Sequence, residues 1–444
     1  MLKDRGKIQV CSYFIGILYL SMFCFLLKIF LPLRTCDAAV DVVVSKEQES
    51  KIKLALVPFN FEKKGLKQED SDKRLSSLLK DVLISDLTLS GYFSCQEYDS
   101  DSAWYSEQMD KSLKHDLLFR GSYLQKSERI VEVTGTIYDL GNNKEIFTKK
   151  IPGNIGNSRR IIHKLVNEIV KELIREKGIA LTKIAFISNQ TGKKQLYIMD
   201  YDGENIFKVD NRSELQISPS WSPSGNVILY SSFINSRSNI SMYRLSDQSR
   251  KIIYAFPGLN SAAVISPDGK EILLTLSKDG DPEIYRDSLK EGRKIRRLTN
   301  NRSIDTSPVW SPDGKRMAFV SDRGGNPQIY ISNINGINVK RETFYGQYNT
   351  SPAWSPKGDK IVYVCRINGL HQIGLLNLKD STTTQLTEGK GNKEDPSWAP
   401  DSRHIVYSFT EDYKSDIYLL DLYSGDNSKV TKGKANYTEP AWSP

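Results

Sequence analysis

From residue 183 onward the hydrophobic pattern is that of short strands. Apolar runs such as Lys183–Ser188 (KIAFIS), Gln195–Met199 (QLYIM), Arg316–Ser321 (RMAFVS) and Gln328–Ile331 (QIYI) alternate with clusters of Gly, Pro, Asn and Asp, the punctuation of tight turns. The runs recur in register. SPVWSPDG spans Ser307–Gly314, SPSWSPSG begins at Ser218, SPAWSPKG at Ser351 and DPSWAPDS at Asp395, while EPAWSP occupies Glu439–Pro444. AAVISPDG, from Ala262, is a weaker copy with Ile265 at the Trp position. The marker residues Trp221, Ile265, Trp310, Trp354, Trp398 and Trp442 are 44, 45, 44, 44 and 44 residues apart, and only Trp104 of the six tryptophans is out of register. A period of about 40–45 residues filled with four strand-like beats predicts a β-propeller.

Within one repeat, Pro312 stops the first strand because it has no N–H for a ladder, and Asp313-Gly314 supplies a tight turn. Gly324–Asn326 and Asn335-Gly336 mark the next two turns. The repeated indole serves packing, since one blade cannot cover both faces of its own sheet; burying a ring of about 150–250 Å² contributes at most about 4–6 kcal/mol. The arithmetic of the repeat also predicts closure. Lys183–Val209 reads as three strands lacking a leading WSP strand, whereas Tyr437–Pro444 is a leading strand with nothing after it. Joining the two gives six blades and no free edge.

Upstream, the periodicity changes. Lys53–Phe59 reads as a strand ended by Pro58, and Leu75, Leu78, Leu79, Val82, Leu83 and Leu87 form one face of a helix that Ser71 could cap and Gly91 stops. Leu117–Gln125, Arg129–Tyr138 and Glu145–Ile151 read as strands, the last two joined by a turn at Gly141–Asn143. A second helix is expected over Ser158–Lys177, with Ile161, Ile162, Leu165, Val166, Ile169, Val170 and Leu173 on one side. The expected organisation is an α/β domain at 52–177 and an all-β six-bladed propeller at 178–444.

The first residues read as an address. Lys3, Arg5 and Lys7 precede the apolar Val10–Leu27, and Cys36-Asp37-Ala38-Ala39 supplies small residues. This predicts a secretory signal over 1–39 cleaved after Ala38 or Ala39, with an uncleaved anchor or a lipoprotein signal at Cys36 as alternatives. Three of the five cysteines lie there; Cys95 and Cys365 remain, too few for a disulfide framework, and both are expected to be buried and inert. The whole chain carries +9; removing Lys3, Arg5, Lys7, Lys28 and Arg34 against Asp4 and Asp37, or +3, leaves +6 (9 − 3). The surplus is scattered, with no basic stripe interleaved with aromatics, so a nucleic-acid partner is not expected.

Candidate chemistry is sparse. There is no G-x-S-x-G nucleophile elbow, and His115, His163, His371 and His404 have no metal-ligand spacing. Asp200-Tyr201-Asp202-Gly203 faintly resembles a calcium loop but lacks the later ligands, and reads as a hairpin turn. No Gly-rich loop opens a helix, so no nucleotide, metal or other cofactor is expected. What remains is surface. The residues before each leading strand share one rim of the disc: Leu215-Gln216, Leu259-Asn260-Ser261, Ile304-Asp305-Thr306, Tyr348-Asn349-Thr350, Lys393-Glu394 and Asn436-Tyr437-Thr438. Their mixture of polar, amide and aromatic groups suits protein docking. The segment Val40–Val44 (VDVVV), followed by the polar run to Lys51, forms a flexible stretch at 40–51 that could add to a partner's sheet edge.

These features together resemble the TolB family, exported components of the Tol–Pal cell-envelope system. The likeness rests on the WSPDG-type repeats at Trp221, Trp310, Trp354 and Trp398, on LALVPF at Leu54–Phe59, on DLTLSGYF at Asp86–Phe93 and on the EPAWSP segment. It implies a non-catalytic, monomeric periplasmic scaffold that supports outer-membrane integrity and envelope constriction at division. It further implies that the propeller mouth binds a Pal-like peptidoglycan-associated lipoprotein, with Leu259, Asn260, Ser261, Ala262, Asp305 and Thr306 at the contact and Tyr348, Asn349 and Thr350 on the same rim. The mature N-terminus, matching Val40, Asp41, Val42, Val43 and Val44, would engage a TolA-like inner-membrane protein. Ile265, Ala263 and Asp41 depart from the family pattern. Two other classes stay open: a propeller enzyme, which needs a catalytic domain not seen in the sequence, and a glycan-binding propeller of the cell wall, which needs aromatics exposed in the channel.

Overall fold

The computed structural model describes residues 50–62, 70–98, 115–210, 212–290 and 295–444. The leader, Val40–Val44, Trp104 and the three leader cysteines lie outside these residues. The N-terminal part is a mixed sheet with two helices: β1 (Ile52–Leu56), β2 (Asn60–Phe61), α1 (Asp70–Leu89), β3 (Phe93–Glu97), β4 (Leu117–Gln125), β5 (Ile130–Asp139), β6 (Lys144–Asn154) and α2 (Ser158–Ile169). The sheet order is β3-β1-β4-β5-β6, with β2 on β4; β1 runs parallel to β3 and β4, β2 parallel to β4, and the rest is antiparallel. Alternation along β5 turns Val131, Val133 and Ile137 into the core. The helix α2 lies against β5 and β6 because glycines let it approach: a Cβ on Gly135 would stand 2.8 Å from Leu165, and one on Gly153 2.6 Å from Ile161.

Two local expectations change, and one strand was not read from the sequence. The first helix begins at Asp70, so Ser71 lies inside its first turn instead of capping it. The second is α-helical only to Ile169; a π-helical turn, Val170–Ile174, follows, and Arg175 reverses the chain at φ 65°, because one widened turn shifts the helix out of register. The strand β3 has no apolar alternation (FSCQE) and is held by pairing with β1 over five residues, a tertiary choice that propensity does not reveal.

The remainder is a six-bladed propeller of four-stranded antiparallel sheets. Five blades are continuous in sequence, led by Leu215–Trp221, Asn260–Ile265, Asp305–Trp310, Asn349–Trp354 and Asn392–Trp398. The sixth is built from both ends of the repeat region. Tyr437–Trp442 pairs with Lys183–Ser188, bringing Tyr437 opposite Ser188 and Trp442 opposite Ile184, as the repeat arithmetic predicts. The tryptophans link neighbours. The indole N–H of Trp310 donates to the Val264 carbonyl at 3.1 Å, that of Trp398 to Ala353 at 3.0 Å and that of Trp221 to Ala441 at 2.9 Å, each on the leading strand of the preceding blade. Trp310, Trp354, Trp398 and Trp442 are buried, and Trp221 is half-buried. Their role is therefore packing between blades. Ile265 offers no such donor.

The α/β layer and the propeller share one hydrophobic core. The layer meets the ends of the blades that carry the first-to-second and third-to-fourth strand turns. From those turns, Arg403 is paired with Asp421 at 2.8 Å, donates to the Gly91 carbonyl at 3.0 Å and lies 4.3 Å over the Tyr92 ring. Lys357 reaches Glu176 at 3.0 Å. Gly91 has φ 77°, and a Cβ there would stand 2.3 Å from the Asp421 carboxylate. Gly91→Ala is thus expected to destabilise the chain by about 1–3 kcal/mol through backbone strain and a disturbed buried ion pair, read as a lower denaturation midpoint. Deleting Asn436–Pro444 strips the closing strand and is expected to abolish the cooperative melt of the propeller, checked by calorimetry.

Candidate functional site, the propeller channel and its rim

Each leading strand carries a bulge at the same place. Ser218, Ala262, Ser307, Ser351, Asp395 and Glu439 have φ between 49° and 54°, and the strand register shifts across each of them. These six positions line the central channel together with the prolines and indoles of the repeat, around a cavity of about 630 Å³. Small residues occupy four of them. Carboxylates occupy the other two, on adjacent blades. Glu439 accepts the Ser218 N–H at 2.6 Å and lies 3.9 Å from the Lys194 ammonium. Among the described residues Asp395 accepts only a 3.3 Å bond from the Ser408 hydroxyl. Enclosure of the carboxyl, then the neighbouring Glu439 and Glu394, pushes Asp395 up to about 7; burial raises Glu439 as well. The pair makes this stretch of channel anionic above neutrality.

The rim residues singled out from sequence fall into two sets. Gln216, Asn260, Asp305, Asn349, Lys393 and Tyr437, first or second in their strands, are all buried. Each braces the loop that precedes it. Asn260 donates to the Phe256 carbonyl at 2.7 Å, Asp305 accepts from Asn301 at 2.8 Å, and Asn349 donates to the Tyr345 carbonyl at 2.8 Å. Lys393 caps the carbonyls of Glu388 and Gly391, and the Tyr437 hydroxyl donates to Lys432 at 2.9 Å. Asp305 is also held by Arg323 at 2.6 Å. By contrast Leu259, Ser261, Ala262, Thr306, Tyr348 and Thr350 are part-exposed. Tyr348 stacks on His371 with centroids 5.7 Å apart, and His371 pairs with Glu394 at 2.5 Å. The rim also carries outward apolar side chains: Ile304, which the sequence placed there, and Phe344, Tyr345 and Tyr413, which the sequence reading passed over. Tyr413 is 97% exposed at a hairpin tip where both Asp412 and Tyr413 have positive φ, positions that Asn and Gly usually fill. An aromatic in that place was the available signal.

The histidines have fixed partners. His404 is buried against Asp401 at 2.6 Å. Among the described residues one group could offer three metal ligands, Asp86, His163 and Asp202. Its carboxylates are otherwise engaged: Asp86 accepts from Tyr201 at 2.7 Å and is joined to His163 Nδ1 at 2.6 Å, while Arg159 holds Asp202. Burial raises the Asp86 carboxyl, and burial followed by the Asp86 charge lifts the Tyr201 phenol well above its ordinary range. A guanidinium on one prospective ligand disfavours a cation. Asp200–Gly203 is a turn, closed by Gly203 N–H to the Asp200 carbonyl at 3.0 Å. Cys365 is buried as expected; Cys95 is half-buried, and burial pushes both thiols up to about 11.

Because Asp395 binds its proton more tightly folded than unfolded, stability falls as pH rises from the unfolded carboxyl range, about 4, to about 7, and the loss is complete above that. Asp395→Asn is expected to flatten this part of the melting-temperature profile and to melt higher than the parent at pH above about 7. An unchanged profile would remove Asp395 as its source.

The fold and channel have known counterparts. The TolB β-propeller domain family matches residues 170–444. The Tol-Pal system protein TolB of Ruthia magnifica is 28% identical over 292 residues, covering 62% of this chain and 65% of that protein. The protein of the same name from Desulfosudis oleivorans is 34% identical over 172 residues, 39% of each chain. The matches thus span less than two thirds of these curated relatives. The crystal structure of TolB from Acinetobacter baumannii superposes with a TM-score of 0.78 at 28% identity, covering 90% of this chain and 98% of that one. With the family model covering residues 170–444 and this superposition over 90% of the chain, the chain belongs to the TolB family.

Proposed function

We propose that this protein is a non-catalytic adaptor of a Tol–Pal system, exported by the segment 1–39 and acting in the periplasm in support of outer-membrane integrity and division. The domain reading is a partner-binding segment at 40–51, an α/β domain at 52–177 and a propeller at 178–444. The channel rim docks a Pal-like peptidoglycan-associated lipoprotein. Val40–Val44 engages a TolA-like inner-membrane protein. Support comes from the names of the relatives and, in this chain, from the rim. There Ile304, Phe344 and Tyr413 point outward from loops braced by buried polar side chains, the combination of apolar anchor and rigid support that concentrates binding energy.

The two sets of rim residues have different roles in this reading. Ser261, Thr306, Tyr348 and Thr350, with Leu259 and Ala262, contact the partner. Asn260, Asp305 and Asn349 hold the loops in shape. The test is capture from detergent-solubilised envelope by the chain Ala39–Pro444, read by mass spectrometry and followed by titration of the captured lipoprotein. Phe344→Ala combined with Thr306→Arg is expected to weaken binding at least about tenfold with an unchanged melt, the behaviour of a contact patch. Asp305→Ala is expected to weaken binding and lower the melt together. Equal capture by the parent and the Phe344/Thr306 variant would sink the rim as the docking site.

A further inference from the structure

Tyr413 stands apart from the other rim residues in two independent ways. It sits at the tip of the hairpin formed by His404–Glu411 and Lys414–Asp421. It is 97% exposed there, and its ring and hydroxyl make no hydrogen bond or ring contact among the described residues. Its backbone is also left-handed, with Asp412 at φ 48° and Tyr413 at φ 63°, a region in which an L side chain crowds the following carbonyl. The chain makes the same turn elsewhere with smaller residues, Asn235-Ser236 at 49° and 62° and Asn368-Gly369 at 50° and 82°. The turn therefore does not need an aromatic, and the ring returns nothing to the fold for the strain it brings.

The hairpin beneath the tip is rigid. Its strands pair along their whole length, from His404 opposite Asp421 to Glu411 opposite Lys414. The Thr410 and Ser415 hydroxyls are bonded at 2.9 Å, and the Ser415 N–H donates to the Asn436 side-chain carbonyl at 3.0 Å. Lys414 turns back from the tip. Its ammonium reaches Asp416 at 3.2 Å and the Ala435 carbonyl, and lies 4.9 Å from the centre of the Tyr437 ring. Glu411 and Asp412 are exposed and make no ion pair among the described residues. The tip thus presents an unattached ring and two carboxylates free of ion pairs, on a fixed support.

We infer that this hairpin is a recognition finger: the Tyr413 ring enters an apolar slot on the docked lipoprotein, and Glu411 and Asp412 meet basic side chains at the edge of that slot. The inference rests on the adaptor reading above and adds the face that the partner must present. The finger is set before the partner arrives, and a ring with two side-chain torsions gives up little freedom on burial. Its carboxylates would be repelled by an anionic membrane surface and suit a basic protein pocket. A turn selected for folding alone carries Asn-Gly or Asp-Gly; here stability is given up for contact area.

The test compares the chain Ala39–Pro444 with two variants, by surface plasmon resonance against the lipoprotein recovered in the capture experiment. Tyr413→Gly makes an Asp-Gly turn, so it is expected to raise the melting temperature by about 1–3 °C. The same variant is expected to bind at least about tenfold more weakly, mainly through faster dissociation. Opposite signs in the two readouts cannot come from general damage to the fold. Glu411→Gln combined with Asp412→Asn is expected to slow association about two- to fivefold at low salt and to flatten its salt dependence, with dissociation little changed. Parent-like binding by Tyr413→Gly, alongside weak binding by the Phe344/Thr306 variant, overturns the finger and leaves the adaptor standing. A lowered melt in Tyr413→Gly overturns it too, since the ring then serves the fold. An unchanged salt dependence in the charge variant removes the basic edge of the slot. Failure of the parent to recover a lipoprotein brings down the adaptor reading and the finger with it.

Discussion

A propeller blade is a sheet with two apolar faces and no means of covering both. Every other feature of this molecule follows from the way that problem is closed. Each blade lends one face to the next, and the last must return to the first. The return is made by six residues, Tyr437–Trp442, paired to a strand about 250 positions earlier. The α/β layer fastens to the same closing blade. Trp442 donates its indole N–H to the Thr182 hydroxyl at 2.8 Å, in the connection between the layer and the ring, and Tyr201 from that blade reaches Asp86 of α1. The core that results is continuous from Leu54 to Trp442. Ring closure and docking of the layer are thus one construction, and loosening either exposes surface of the other.

The repeat is written in polar residues as well as in tryptophan. Thr299, Thr343, Thr387 and Thr431 each accept the N–H of an isoleucine in the third strand, at 2.9–3.1 Å. Gln328 and Gln372 accept from two of those threonines, and Asp416 from a third. Such groups are buried, so each must be paired or cost the desolvation of a polar atom. The lattice fixes where the fourth strand ends and the loop to the next blade begins. The buried brace at Asn260, Asp305 and Asn349 then fixes the loop itself. Together they allow loop sequence to vary at the rim without disturbing the blades.

This separation explains what was legible in the sequence. The propeller, its six blades and its closure could be read from the 44-residue spacing because identical packing demands recur at identical positions. The helix α1 could be read for its stripe of leucines. The strand β3 could not, since FSCQE has no pattern of its own and exists by pairing. Nor could the π-turn at Val170–Ile174, where the apolar stripe runs on unbroken. At the rim, the sequence placed its candidates before the leading strands but could not separate those pointing out from those pointing in. Asn260 and Ser261 are neighbours of similar polarity, and only the strand pleat sends one to the interior and leaves the other part-exposed. Asp86, His163 and Tyr201 were individually unremarkable, being 77 and 38 residues apart in turn; only the fold brings them within hydrogen-bond reach.

The two ends of the ring differ chemically for a reason rooted in strand direction. At one end lie the short Ser-Pro-Asp-Gly turns, in which Ser311 accepts the Arg316 N–H and Gly314 closes back on Ser311. These turns are compact and nearly alike, which suits them to lying against the α/β layer, where Lys357 and Arg403 need only reach a short way to Glu176 and Gly91. At the other end lie the longer blade-to-blade loops, different in each repeat and carrying Phe344, Ile304 and, in an adjoining hairpin, Tyr413. In the adaptor proposed above, the uniform end faces inward and the variable end is left outward for a partner. The strand count enforces it: with four strands per blade, the turns after strands one and three fall on one side and those after strands two and four on the other, so no loop can be moved between the two surfaces without breaking a blade.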